Sequence, residues 1–134
     1  MGVKQVIVWR HDLKCRLGKK MAQAGHAVLA NFFASFHNNT DAYGNVSFQM
    51  TASQFEWYLG NQKKIVLRVD SESDLLLLKQ RSEEMGFPTY LITDDGLTEW
   101  DKPTHTCLAI GPADEVQIDL LTGEKCPLGK LNLL

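Results

Sequence analysis

The sequence predicts an α/β fold, a three-layer α/β/α sandwich around a mixed four-stranded sheet, on three observations. Short apolar runs bounded by turn formers alternate with segments of helical period, the order of layered α/β domains. The first run, Val6-Ile-Val-Trp9, has no polar alternation, which suits a central strand covered on both faces. Links between the first three runs are long enough for crossovers between parallel strands, whereas the short link 94–105 allows the third and fourth strands to run antiparallel.

After the first run, Met21, Gly25, Val28, Phe32 and Phe36 fall on one apolar stripe of a helix starting near Lys19. Ala22, Ala24, Ala27, Ala30 and Ala34 surround the stripe and are small enough to let the helix lie close to a sheet. Lys19, Gln23 and His26 line another face at i, i+4, i+7. The turn formers of residues 37–45 predict a loop. Thr51–Gly60 reads as a short helix, with Thr51 or Ser53 as its cap, Phe55 and Leu59 one turn apart, and Gly60 as its stop. Lys63–Val69 is a strand. Ser71 to Asp74 resembles a capping box with Asp in place of Glu or Gln, and Leu75–Met85 is a helix closed by Gly86. Pro88–Thr93 and Thr106–Pro112 are the last two strands, separated by the Asp94-Asp-Gly turn. Residues 114–121 fit either a short helix or a turn, and the segment to Leu134 carries no clear pattern.

With 134 residues and 44% hydrophobic content, the chain suits one globular domain with a real core. Cys15, Cys107 and Cys126 are odd in number, widely spaced and without a zinc-ligand pattern, so reduced thiols in a cytoplasmic protein are expected. The N-terminal apolar run is too brief for a signal-peptide core, no apolar stretch is long enough to span a membrane, and Val6 stands where a myristoylation motif needs Ser or Thr. The net charge of −2 hides an asymmetry: residues 1–20 hold Lys4, Arg10, Lys14, Arg16, Lys19 and Lys20 against Asp12 alone. Such a local patch suits a phosphate-rich partner, or simply a solvated loop.

Several residues invite a chemical reading. Lys19 at a helix start opposes the helix dipole, a mild conflict that fits either a functional ammonium or a lysine snorkelling over apolar surface. His26, among alanines, suits a structural histidine, and Gln23 fits a ligand-positioning or a bridging role equally. Asp94 and Thr98 follow a strand, and Thr104, His105 and Thr106 precede the next, so both groups fall at sheet edges where α/β sites assemble. A Ser-His-Asp acyl-enzyme lacks its Gly-x-Ser-x-Gly elbow here, and Leu17-Gly-Lys-Lys lacks the first glycine and the Ser or Thr of a P-loop.

Together, Arg10, Asp12-Leu-Lys, Gly18-Lys19, Ala22-Gln23 and His26-Ala27 resemble the signature of the type 2 peptidyl-tRNA hydrolases. So do, in the same order, Gly60-x-Gln62-Lys-Lys-Ile-Val-Leu, Ile92-Thr-Asp94-x-Gly96-x-Thr98, Thr106-x-Leu-Ala-Ile-Gly-Pro112 and Ile118-Asp119-x-x-Thr122-Gly123. The resemblance spans nearly the whole chain and implies a single domain over residues 1–134, often dimeric. It also implies cytoplasmic hydrolysis, without metal or organic cofactor, of the ester joining a peptide to the terminal ribose of tRNA. It maps the active-site residues to Lys19, Asp94, Thr98 and Thr106, supported by Gln23 and His26. Arg10, Lys14, Arg16 and Lys20 would bind the acceptor stem through phosphates. Arg16 and Leu17 replace the family's first Gly-Lys pair, and Asp95 replaces a small residue, which predicts a raised pKa for one of the Asp94/Asp95 pair. These departures motivate the alternative of a catalytically weakened relative that binds RNA or protein.

Overall fold

A computed structural model describes residues 2–97 and 99–134. Its elements follow the order β1 (Val3–Arg10), α1 (Leu17–Ala34), β2 (His37–Thr40), β3 (Val46–Gln49), α2 (Ala52–Leu59), β4 (Lys64–Val69), α3 (Glu72–Glu84), β5 (Thr89–Asp94), β6 (Thr104–Asp114) and α4 (Glu115–Thr122). The main sheet has the strand order β4-β1-β6-β5, with β1 parallel to β4 and antiparallel to β6, and β5 antiparallel to β6. The sheet is therefore mixed and four-stranded, and its third and fourth sequential strands are antiparallel as the short link suggested.

Strand alternation builds two cores from one sheet. Val6 and Val8 of β1 pack on Leu75 and Leu78 of α3 and Ile118 and Leu121 of α4. Their neighbours Ile7 and Trp9 face the other way, with Cys107, Ala109 and Ile92, against Ala27 of α1. A smaller cluster of Phe32, Phe36 and Trp57 joins the end of α1 to α2. Helices thus cover both faces, and β1 is buried on each.

Local capping agrees with the sequence. Thr51 and Gln54 form a reciprocal capping box at α2, Ser71 accepts from Asp74 N–H at α3, and Asp114 accepts from Gln117 N–H, which makes 115–122 a helix rather than a turn. Each such cap is worth about 1 kcal/mol.

Three expectations are corrected. Residues 37–49 form a two-stranded hairpin, β2–β3, instead of a loop. The Asp41 carboxylate accepts the Tyr43 and Asn45 N–H groups at its turn, and Phe48 packs edge-on against Phe33 and Phe36, which anchors the ribbon to α1 and the turn after it. On α2 the buried residues are Gln54 and Trp57, while Phe55 and Leu59 face solvent. On α1 the face turned to the sheet is Gln23, Ala27 and Asn31; of the expected stripe Met21 and Gly25 are exposed, while Phe32 and Phe36 are buried. Two polar residues can occupy this face because each finds a partner there; Asn31 Nδ2 donates to the Gly111 carbonyl at 2.5 Å.

The C-terminal segment, unassigned from sequence, lies along β4. Arg68 N–H donates to Asn132 O at 3.0 Å and Leu134 N–H to Val66 O at 3.1 Å, so this edge of the sheet is covered.

Candidate active site

The first turn of α1 and the last residue of β5 meet at one end of the sheet. Lys19 Nζ donates to Asp94 Oδ2 at 2.7 Å, and Gln23 Nε2 reaches the same oxygen at 3.2 Å. The other carboxylate oxygen accepts the Gly96 N–H at 2.9 Å, so the Asp-x-Gly turn holds the aspartate from its own loop. Gly96 has φ +80, and a Cβ there would lie 2.4 Å from the Lys102 carbonyl carbon, so only glycine fits this turn. Thr106 is fully buried, and its hydroxyl donates to Gln23 Oε1 at 2.7 Å. Its connection to Asp94 therefore runs through the Gln23 amide.

Asp94 is 9% exposed, yet its pKa is lowered, first by the Lys19 hydrogen bond and next by the Gly96 N–H. The upward shift expected for one of the Asp94/Asp95 pair does not occur at Asp94, whose carboxylate is held by an ammonium and a backbone N–H. Asp95 itself is exposed. Lys19 also lies 5.6 Å from the centroid of the Trp100 ring, a cation–π contact that no sequence pattern announced.

The helix-dipole conflict at Lys19 is relieved from the loop after β5. Arg16 occupies the N-cap without a side-chain cap, but its N–H donates to Glu99 Oε2 at 3.0 Å, placing a carboxylate at the positive end of α1. Thr98 lies outside the described residues.

The predicted cations do not form one patch. Lys4 is at the far end of β1, paired with Asp119 at 2.6 Å. Arg10 is buried, and its guanidinium is bound by Asp12 at 2.8 Å, by Glu72 at 3.1 Å and by the His105 carbonyl at 3.0 Å. The Asp12 hydrogen bond raises the Arg10 pKa despite burial, and lowers that of Asp12 in return. Arg10 therefore ties β1 to α3 and β6, and its geometry is that of a scaffold. Lys14 and Arg16 are exposed around the start of α1, and Lys20 is half-buried there. His26 is exposed one turn beyond Gln23.

A groove of about 400 Å³ opens beside this centre, between Gln23, His26 and Ala30 of α1 and residues 90–95 of and after β5. The thiols are poor alternatives as nucleophiles. Burial pushes the Cys107 thiol up to about 11, and burial followed by Glu99 raises that of Cys15. Among the described residues, no three His, Cys, Asp or Glu side chains gather to hold a metal ion, and no helix is long and apolar enough to cross a membrane.

Comparison with known proteins gives this arrangement a family. The family model described as peptidyl-tRNA hydrolase PTH2 matches residues 3–126. A peptidyl-tRNA hydrolase of Methanopyrus kandleri is 40% identical over 90% of this chain and 94% of its own length. That of Thermococcus sibiricus is 36% identical over 90% and 92%, and that of Methanocaldococcus jannaschii 35% over 90% and 96%. A solved protein of unknown function from Agrobacterium tumefaciens strain C58 shares the fold, with a TM-score of 0.58 at 19% identity over 98% of both chains. By a match running from β1 past α4, and by relatives covered almost end to end, the chain belongs to the peptidyl-tRNA hydrolase PTH2 family.

Proposed function

We propose that this chain, acting as one domain in the cytoplasm, hydrolyses the ester between a peptide and the terminal ribose of tRNA, with Lys19 and Asp94 at the reacting carbonyl. The observation that carries the assignment of residues is the 2.7 Å Lys19–Asp94 pair at the mouth of a groove. A water oxygen attacks the ester carbonyl carbon, the carbon–oxygen bond to ribose breaks, and the ribose oxygen leaves with a proton. The products are free tRNA and a peptide with a new carboxylate. Lys19 stabilises the negative charge that develops on the carbonyl oxygen. Asp94, held low in pKa, is a weak base; it orients the water and fixes Lys19. Gln23 and Thr106 are positioning residues that aim the Asp94 carboxylate, and Thr98 joins the centre on the strength of the sequence signature alone.

Lys14, Arg16 and Lys20 meet tRNA phosphates around the start of α1, giving affinity that is salt-sensitive and largely independent of sequence. His26 lies on the substrate side of the groove. The family's dimer is assigned to the apolar surface where α1 and α2 expose Leu29, Phe33 and Tyr58; sedimentation as a monomer at micromolar concentration would remove it. The hydrolase assignment is tested by incubating the protein with N-blocked aminoacyl-tRNA. Release above the uncatalysed rate is expected, and no release by folded protein overturns it. Tight, salt-dependent tRNA binding without turnover would instead favour the weakened, RNA-binding alternative.

A further inference from the structure

The sheet has two edges, and they are treated differently. The β4 edge is covered by residues 132–134, while β5 ends the strand order on the other side and borders the groove that starts at Asp94. We propose that the open edge of β5 is the peptide subsite, where the peptidyl part of the substrate adds as a further strand, parallel to β5, with its ester carbonyl at Asp94. This rests on the hydrolase reading above.

The backbone register supports strand addition. Gly111 N–H donates to Pro88 O at 2.8 Å. Counting by two from that pair, Tyr90↔Ala109 and Ile92↔Cys107 are the hydrogen-bonded pairs of β5 with β6. The N–H and C=O groups of Thr89 and Leu91 therefore point away from β6, toward the open edge. Tyr90 and Ile92 share the face that α1 covers, and His26 and Ala30 form the opposite wall of the groove.

Charge separates peptide from nucleotide. Among the described residues the carboxylates lining the groove are Asp94, which is paired with Lys19 at its mouth, and Asp95, so beyond that pair the walls offer a phosphate no lysine or arginine. Lys14 and Arg16 precede Lys19 at the start of α1 and Lys20 adjoins it, whereas the groove residues Gln23, His26 and Ala30 follow further along the helix. The reacting ester thus sits between a cationic surface suited to phosphates and an edge suited to a polypeptide. Main-chain pairing also tolerates variation in side chains, as a hydrolase acting on peptides of many sequences requires. The four residues from Tyr90 to Thr93 span roughly 13 Å at about 3.3 Å per residue, room for about four peptide residues.

The test compares wild-type hydrolysis of N-acetyl-aminoacyl-tRNA with tRNAs carrying N-acetylated peptides of two, four and six residues. Expected is a rise in kcat/KM of about tenfold up to four residues and none beyond, the worth of one or two backbone hydrogen bonds. Single N-methylation of successive backbone amides in the tetrapeptide removes that gain at alternate positions only. Ala30→Arg, which fills the groove, lowers kcat/KM for the tetrapeptide substrate by a larger factor than for the single-residue one. Equal kcat/KM at every length, or N-methylation without a two-residue period, overturns the subsite and leaves the hydrolase reading standing. No release from any substrate by folded wild-type protein overturns the hydrolase reading, and the subsite with it.

Discussion

Lys19 and Asp94, 75 positions apart, are joined by a 2.7 Å charge-assisted hydrogen bond that closes the first turn of α1 onto the last residue of β5. Both are largely buried, with side-chain exposures of 17% and 9%. In the proposed mechanism Lys19→Ala removes the oxyanion partner, and kcat for peptidyl-tRNA cleavage is expected to fall by about 10²-fold or more. Single-turnover release measures this directly. An NMR titration of the variant should also show the Asp94 pKa moving up, since its largest depressing contact is gone.

The same pair sets a pH dependence. Because the folded-state pKa of Asp94 lies below the ordinary 3.8, the unfolded chain binds more protons in the window between the two values. The stability from this pairing is fully present above about pH 5 and is lost as pH falls through the folded pKa. Urea unfolding of wild type and Asp94→Asn should therefore differ by a constant amount from neutral pH down to about 5, and converge in stronger acid. A gap that widens on acidification contradicts the assignment.

Thr106 is expected to act on the site only through Gln23. Thr106→Val leaves the buried Gln23 Oε1 without its 2.7 Å donor, which costs about 1–3 kcal/mol in stability and lowers kcat by misaiming the amide at Asp94. Thr106→Ser keeps the hydroxyl and should restore kcat with little change in KM. Failure of the serine variant to rescue, while folded, removes the positioning role.

Arg10 and Lys14 are separated by a salt titration of tRNA binding. Arg10→Met is expected to lower stability by about 1–3 kcal/mol, because Asp12, Glu72 and the His105 carbonyl lose their common donor, and to leave the salt slope unchanged. Lys14→Ala should keep stability and reduce the slope of log K against log salt by about 1. A reduced slope in Arg10→Met would place its guanidinium on phosphate after all.

The sequence by itself determined the layers of the main sheet and its helices, though not the β2–β3 hairpin. Val6 to Trp9 is legible as a doubly covered strand, Ser71 as a cap, and the α2 cap as Thr51 or Ser53, because period and capping depend on residues within a turn or two of one another. The Lys19, Gln23 and Asp94 positions were likewise readable from block signatures. Tertiary structure alone decided which face of α1 is buried. A periodic count favours Met21 and Gly25, but the sheet receives Gln23 and Asn31, since their partners Asp94, Thr106 and Gly111 lie 71 to 83 residues further on. It decided the fate of the basic segment in the same way: Lys4 and Arg10 are taken by Asp119 and Glu72, and only charges near the start of α1 remain at the site. A buried polar group is stable only where a distant partner satisfies it. That partner is fixed by the fold, which is why local pattern found the elements and three-dimensional contact assembled the site.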